Sequence, residues 1–221
     1  MTECSKCKIF NQCFASLLTI PELNELQNNL STQKLEKNEY LFYEGAGSKK
    51  LYMIISGTII LKLPGINSQP HILGIARPGN MIGTASILPE SKNVITTKAL
   101  SNVTLCTVNK TIIEKFMDSN KDLRNHILNI MYKRQLSILN YTQVMLSGNT
   151  QAKLAYSMLV FSEKEGEIIA DKATLANMAG LRRETVSRLL KKFKDNKIIE
   201  SNQRKIKILN KEKLRNLVTD Y

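Results

Sequence analysis

The sequence predicts an α+β chain with a β-rich N-terminal half, one long central helix, and a small basic helical domain that ends in a hairpin. Three observations carry this. Residues 30–105 hold short Tyr/Phe/Ile/Leu runs separated by Gly, Pro and Asn, whereas residues 111–146 hold neither Pro nor Gly. From Ala170 onward there are 14 Lys/Arg against 6 Asp/Glu, in a chain of 221 residues whose net charge is +13. Hydrophobic residues make up 43%, enough for a core, and 23% charge argues against global disorder.

The β half comes first. "YLFYEG", "LYMIISGTIILKL" and "PHILGIARPGNMIG" are strand-like, and Gly45, Gly47, Gly57, Gly65, Gly79 and Gly83 punctuate them at turn positions. Many short strands so spaced predict a sandwich or roll. In the following stretch, Ile127, Met131, Ile138, Tyr141 and Met145 form a seam with 4- and 3-residue spacing, if Arg134 is admitted to it. That periodicity predicts a helix of roughly 26 residues, about 39 Å long, able to pair with a second copy. "SGNT" (147–150) then breaks the helix as a hinge with an N-cap, and "QAKLAYSMLVFSEK" follows as another helix.

Next, "ATLANMAGLRRETVSRLLKKF" has the spacing of a helix-turn-helix, with Ala176 in the first helix, Gly180 in the turn and Val186 in the second helix. The second helix presents Arg183, Glu184, Ser187 and Arg188 on one face, while Val186, Leu189 and Leu190 turn inward. Arg can contact guanine through two bonds, and Glu can accept from the cytosine amino group. Lys191, Lys192 and Lys194 can neutralise phosphates, and Arg204, Lys205 and Lys207 lie on a hairpin, "IIESNQRKIKIL", placed to act as a wing. Double-stranded DNA is the partner these features predict.

No run approaches the 18 apolar residues of a membrane span, and the N-terminus lacks the apolar core of a signal peptide, so a cytoplasmic protein is expected. In that compartment clustered thiols bind metal or do redox chemistry more often than they form structural disulfides. Cys4, Cys7 and Cys13 are spaced C-x2-C-x5-C, and the fourth and last cysteine is Cys106. Four thiolates suit a tetrahedral zinc ion, although x5 is wider than the usual ligand spacing. A thiol–disulfide switch and inert cysteines are the other readings open to the residues alone. His71 and His126 are isolated, and no nucleophile–base pair, phosphate loop or carboxylate cluster suggests an enzyme.

At "YLFYEGAGSKKLYMIISGTIILKL" and "GLRRETVSRLLKKF" the chain resembles the CRP/FNR family of bacterial transcription regulators, and the likeness extends over nearly all of it. The resemblance implies four parts: a cysteine-bearing N-terminal arm at 1–20, a β-roll sensor of the cyclic-nucleotide-binding kind at 21–115, a dimerisation helix at 116–148, and a winged helix-turn-helix at 149–221. It implies a homodimer on a two-fold symmetric site with a TGA-type core, read by Glu184 and Arg188, with RNA polymerase as a further partner. Arg183 matches the cyclic-AMP-receptor branch and Ser187 the FNR branch.

The family's cyclic AMP residues are not matched. Thr84 stands where a ribose-binding glutamate is expected, and Asn93-Val94 where an Arg-Ser pair would hold the phosphate, so cyclic AMP is not the expected ligand. By contrast, Cys4, Cys7, Cys13 and Cys106 match the four positions that hold an oxygen-labile 4Fe–4S cluster in the FNR branch. The resemblance therefore implies an oxygen or redox sensor, with control by thiol oxidation or by a small molecule in the roll as the alternative.

Overall fold

The computed structural model describes residues 4–47, 49–65, 70–88, 90, 92–202 and 205–219. The chain divides into two compact units, Met1–Pro70 with Ile75–Leu136, and His71–Gly74 with Ser137–Tyr221.

In the first unit, three short 3-10 turns (Cys4–Lys6, Phe10–Gln12, Phe14–Leu17) lead into α1, Ile20–Asn29. The Thr19 backbone N–H and hydroxyl both donate to the Glu22 carboxylate, at 2.8 and 2.9 Å, and set where α1 begins. Eight strands follow, with residues His71–Gly74 of β5 grouped in the second unit: β1 (Ser31–Leu35), β2 (Tyr40–Phe42), β3 (Lys50–Ser56), β4 (Ile59–Leu63), β5 (His71–Ala76), β6 (Met81–Ile82), β7 (Thr96–Ala99) and β8 (Val103–Asn109). They form two four-stranded sheets, ordered β1-β8-β3-β6 and β2-β7-β4-β5. At the β3–β4 turn only glycine fits: Gly57 has φ +84°, and a Cβ there would lie 2.2 Å from the Asn102 carbonyl oxygen.

Strand alternation divides the core in two. Ile54, Val103 and Leu105 pack with Ile59, Ala99 and Ile82 in one cluster. From the same strands, Leu51, Met53 and Val108 join a second cluster with Phe14, Leu26, Ile113, Phe116 and Ile127. The second cluster contains α2 (Lys110–Ser119) and the start of α3 (Lys121–Ser147). Asn120 separates these helices: its side-chain oxygen accepts from the Leu123 N–H at 3.0 Å, and its amide donates to the Leu17 carbonyl at 3.0 Å.

The cysteine-bearing N-terminal segment packs into the second cluster, where Ile9, Phe14 and Ala15 are buried. The seam expected along α3 changes in part. Ile127 is only 1% exposed, and Arg134 bonds to its own unit. Of the expected seam, Met131 and Ile138 are exposed, and Leu128, Tyr132, Leu136, Leu139 and Leu146 are exposed as well. The periodicity is helical as expected, but Ile127 and Arg134, a heptad apart, mark the face that a single chain buries.

In the second unit, the end of α3 is followed by α4 (Thr150–Phe161), α5 (Lys172–Ala179), α6 (Arg183–Asp195), β9 (Ile199–Ser201), β10 (Ile206–Ile208) and α7 (Lys211–Thr219). Asn149 caps α4 by accepting from the Gln151 and Ala152 N–H groups at 2.9 and 3.0 Å. The core is Leu154, Met158, Phe161, Leu175, Met178, Leu190 and Phe193, joined by Leu214 of α7. Sequence patterning did not anticipate α7: "KEKLRNLVT" is mostly polar, and its one buried residue is Leu214.

Candidate nucleic-acid interface and candidate metal centre

α5, a tight turn and α6 form the helix-turn-helix that the spacing predicted. Asp171 caps α5 through the Thr174 N–H at 2.7 Å, and Gly180, at φ +62°, ends it in the left-handed region. α6 then buries Val186, Leu189, Leu190 and Phe193. Arg183, Glu184, Ser187, Arg188, Lys191 and Lys192 are all exposed. They span about half the helix circumference, so one face carries hydrogen-bonding and cationic groups that no protein core covers. Glu184 lies in the first turn of α6, where the helix dipole also favours a carboxylate.

The basic residues beyond that face are less free. Lys194 Nζ donates to the Ser201 carbonyl at 3.0 Å and so ties α6 to β9. Lys205 Nζ lies 3.4 Å from Glu167 Oε1, in an exposed pair. β9 and β10 form the hairpin, with Ile206 opposite Ser201 and Ile208 opposite Ile199. Arg204 lies outside the described residues.

The N-terminal cysteines lie along three short 3-10 turns. The Cys7 N–H donates to Cys4 O at 3.0 Å, Phe10 to Cys7 O at 2.9 Å, Cys13 to Phe10 O at 3.0 Å, and Ser16 to Cys13 O at 3.1 Å. Cys4 opens the first turn, Cys7 follows it, and Cys13, in extended backbone at φ −99° and ψ 146°, joins the second turn to the third, so the segment is a string of short turns. The Cys4 N–H also donates to Gln27 Oε1 of α1 at 2.9 Å, which anchors the segment.

Cys106 comes from β8, opposite Met53 of β3 and Thr32 of β1. All four cysteines, with Met53 and Phe14, line one apolar cavity of about 30 Å³. No disulfide joins them. Burial pushes the Cys13 thiol up to about 12; a backbone bond from Ala15 opposes this, and the neighbouring Cys4, Cys106 and Cys7 add to it. Burial first, then Cys4 and Cys7, raise Cys106 to about 11. Cys4 is raised by burial and by Cys7.

Burial in this apolar space thus disfavours the ionised forms of Cys4, Cys13 and Cys106, and a bound metal would supply compensating charge. The donor set suits soft, thiolate-binding metals. Among the described residues no three Cys, His, Asp or Glu stand together at metal-ligating separation, and about 30 Å³ is room for only one or two waters. The cysteines must therefore part or turn to hold a cluster.

In the roll, Thr84 opens a 3-10 turn, Thr84–Ile87, after Gly83. Asn93 is buried, and its backbone pairs with Gly45 and Ala46, while Val94 is exposed. The guanidinium of Arg134, from α3, donates to Met81 O at 2.8 Å and to Thr84 Oγ1 at 3.3 Å. Its role was missed because an arginine in an apolar seam reads as a defect of that seam. The useful signal was its place one heptad beyond Ile127.

Two family profiles match the chain, a cyclic nucleotide-binding domain over residues 32–120 and a Crp-like helix-turn-helix domain over residues 152–217. The chain is 26% identical over 201 residues to the anaerobic regulatory protein of Haemophilus influenzae, covering 86% of this chain and 78% of that protein. It is 25% identical over 225 residues to the fumarate and nitrate reduction regulatory protein of Yersinia pestis, covering 97% and 90%. In fold it is similar to FixK2 from Bradyrhizobium japonicum, with a TM-score of 0.76 at 16% identity over 85% of this chain and 96% of that one. It is also similar to a CRP/FNR-family regulator from Thermus thermophilus, with a TM-score of 0.69 at 20% identity over 86% and 98%. Among the described residues no helix is long and apolar enough to cross a membrane. A roll of the cyclic-nucleotide-binding kind, followed by a long helix and a Crp-like helix-turn-helix, makes the chain a member of the CRP/FNR family of transcription regulators.

Proposed function

We propose that this regulator senses oxygen or redox state through a 4Fe–4S cluster held by Cys4, Cys7, Cys13 and Cys106, and that the cluster controls dimerisation and DNA binding. The observation that carries the reading is the meeting of all four of the chain's cysteines at one cavity, although Cys106 stands 93 positions beyond Cys13. The names of the relatives, an anaerobic regulator and a fumarate and nitrate reduction regulator, support the same direction. When bound, the cluster supplies an oxygen-labile iron centre. The chain's own contribution is to carry three thiols on the N-terminal turns, line them with apolar groups such as Phe14 and Met53, and fix Cys106 on a central strand.

On the DNA side, Arg183, Glu184, Ser187 and Arg188 read the base edges, with Glu184 and Arg188 on the G·C pair of a TGA-type core. Lys191, Lys192, Arg204 and Lys205 contact phosphates. A second copy docks on the exposed face of α3, giving a cytoplasmic homodimer on a two-fold symmetric site from which RNA polymerase is engaged. The exposed Leu128, Met131, Tyr132 and Leu136 support the docking face.

One observation favours a second reading. A cavity of about 30 Å³ is nearer in size to a single zinc ion than to four irons and four sulfides. Anaerobic purification with iron, sulfide and zinc analysis separates the two. Near-stoichiometric iron and sulfide, with a broad visible absorption that bleaches in air, establishes the cluster. Zinc without iron replaces it with a structural clasp.

A further inference from the structure

We propose that Arg134 is a positioning residue that fastens α3 to the cysteine-bearing sheet, so that a change at the cysteine cavity alters the docking of a second copy on α3. This rests on the proposed cavity sensor and names the group that carries its signal.

The register of the sheet supplies the link. Cys106 of β8 lies directly opposite Met53 of β3, and Met53 lies directly opposite Met81 of β6. These three residues form one row across three strands, with neighbours about 4.5–5.5 Å apart. The row starts at the cavity, which Cys106 and Met53 both line, and ends at Met81. The Met81 carbonyl accepts the Arg134 guanidinium at 2.8 Å, and the second guanidinium nitrogen reaches Thr84 at 3.3 Å, in the turn just beyond β6.

The chemistry of the contact makes it a fastening rather than incidental packing. Arg134 is held among neutral acceptors, and burial lowers its pKa with no carboxylate contributing. A cation in such surroundings depends on the bonds it has, and a charge-assisted bond to a carbonyl is among the stronger ones. A shift of β6 must therefore either draw α3 along or break this bond. The helix responds as one body. Ile127 and Arg134 share its inner face, while the exposed Leu128, Tyr132 and Leu136 lie about 100–180° round the helix from Ile127. Displacements of about 1–2 Å at such helices are a known way for a small local change to alter a subunit interface.

The test compares wild type, Arg134→Met and Arg134→Lys by sedimentation equilibrium, each metal-free and each after anaerobic loading with iron and sulfide, with bound iron measured on every sample. Methionine keeps the apolar stem and removes the bonds, and circular dichroism verifies the fold. All three proteins are expected to take up equal iron. Loading should change the wild-type dimer dissociation constant by at least about fivefold. The change should fall below about twofold in Arg134→Met, and Arg134→Lys should retain most of it through the Met81 carbonyl.

If wild type takes up no iron, the cluster reading fails, and alkylation of the cavity thiols in the metal-free protein replaces loading as the perturbation. The same pattern across the three proteins then upholds the fastening role by itself. A response in Arg134→Met as large as in wild type overturns the proposal under either perturbation, as does a wild-type dimer that ignores both.

Discussion

The recognition face of α6 and the cysteine cavity depend on opposite physical conditions. Arg183, Glu184, Ser187 and Arg188 are exposed, so their charges bear little desolvation cost before DNA arrives, and salt governs what they contribute. The four cysteines line an apolar cavity, where burial suppresses ionisation of Cys4, Cys13 and Cys106, so protons and metal govern them instead. One region is suited to contact with a polyanion, the other to response to chemistry inside the fold. The contrast says where each kind of perturbation should act.

The largest effect should come from the cavity wall. Phe14 is fully buried beside the cysteines, and Phe14→Ala should cost about 3–5 kcal/mol in denaturant unfolding of the metal-free protein. A cost below about 1 kcal/mol would mean that the N-terminal segment is not part of the core. On α6, Arg188→Ala should weaken specific DNA binding by about 1–3 kcal/mol, with folding unchanged. Fluorescence anisotropy should show that loss mainly on sites containing the TGA core. Lys191→Ala should instead weaken all DNA equally and reduce the slope of log affinity against log salt by about 0.9.

The thiols give a pH signature with a definite sign. Cys13 and Cys106 are raised from an ordinary value of 9.0 to about 12 and about 11. The folded metal-free chain therefore holds these protons above the pH at which an unfolded chain releases them. The stability gained is fully present below about pH 9 and is lost as pH rises toward 11 and 12. Chemical denaturation of wild type and of a Cys13→Ala, Cys106→Ala variant should diverge across that window, and parallel curves would show that the thiols are not buried as described. The smallest effect belongs to Lys205→Ala. Its pair with Glu167 is exposed on both sides, so unfolding free energy should change by less than about 0.5 kcal/mol.

The two regions also differ in how much of each was legible in the sequence. The recognition face is local: Gly180 and the 3.6-residue spacing of Val186, Leu189, Leu190 and Phe193 fix which side of α6 is left for DNA. The β-roll was legible from its glycines, and Gly57 shows why, since no other side chain fits that turn. The cysteine site was legible only as a set of residues. That Cys106 faces Met53, and that the N-terminal turns bury Phe14 beside it, depends on pairings between distant strands that no short window contains. The seam of α3 was legible only in part, with Met131 and Ile138 exposed but Ile127 buried, for a related reason. Ile127 and Arg134 fit a coiled-coil repeat as well as a core-facing one, and only the sheet beneath them decides between the two. α7 went unseen because a helix anchored chiefly by Leu214 has little apolar pattern to detect.

The proposed control of α6 by the cysteine cavity has one most direct test. It is an anisotropy titration of a two-fold symmetric TGA-containing duplex with anaerobically purified protein, repeated on the same sample after exposure to air. Binding should be at least about tenfold tighter before air, a coupling within the usual range between two sites, with the difference absent in Cys106→Ser. Equal binding before and after air, or an undiminished difference in Cys106→Ser, would contradict that control.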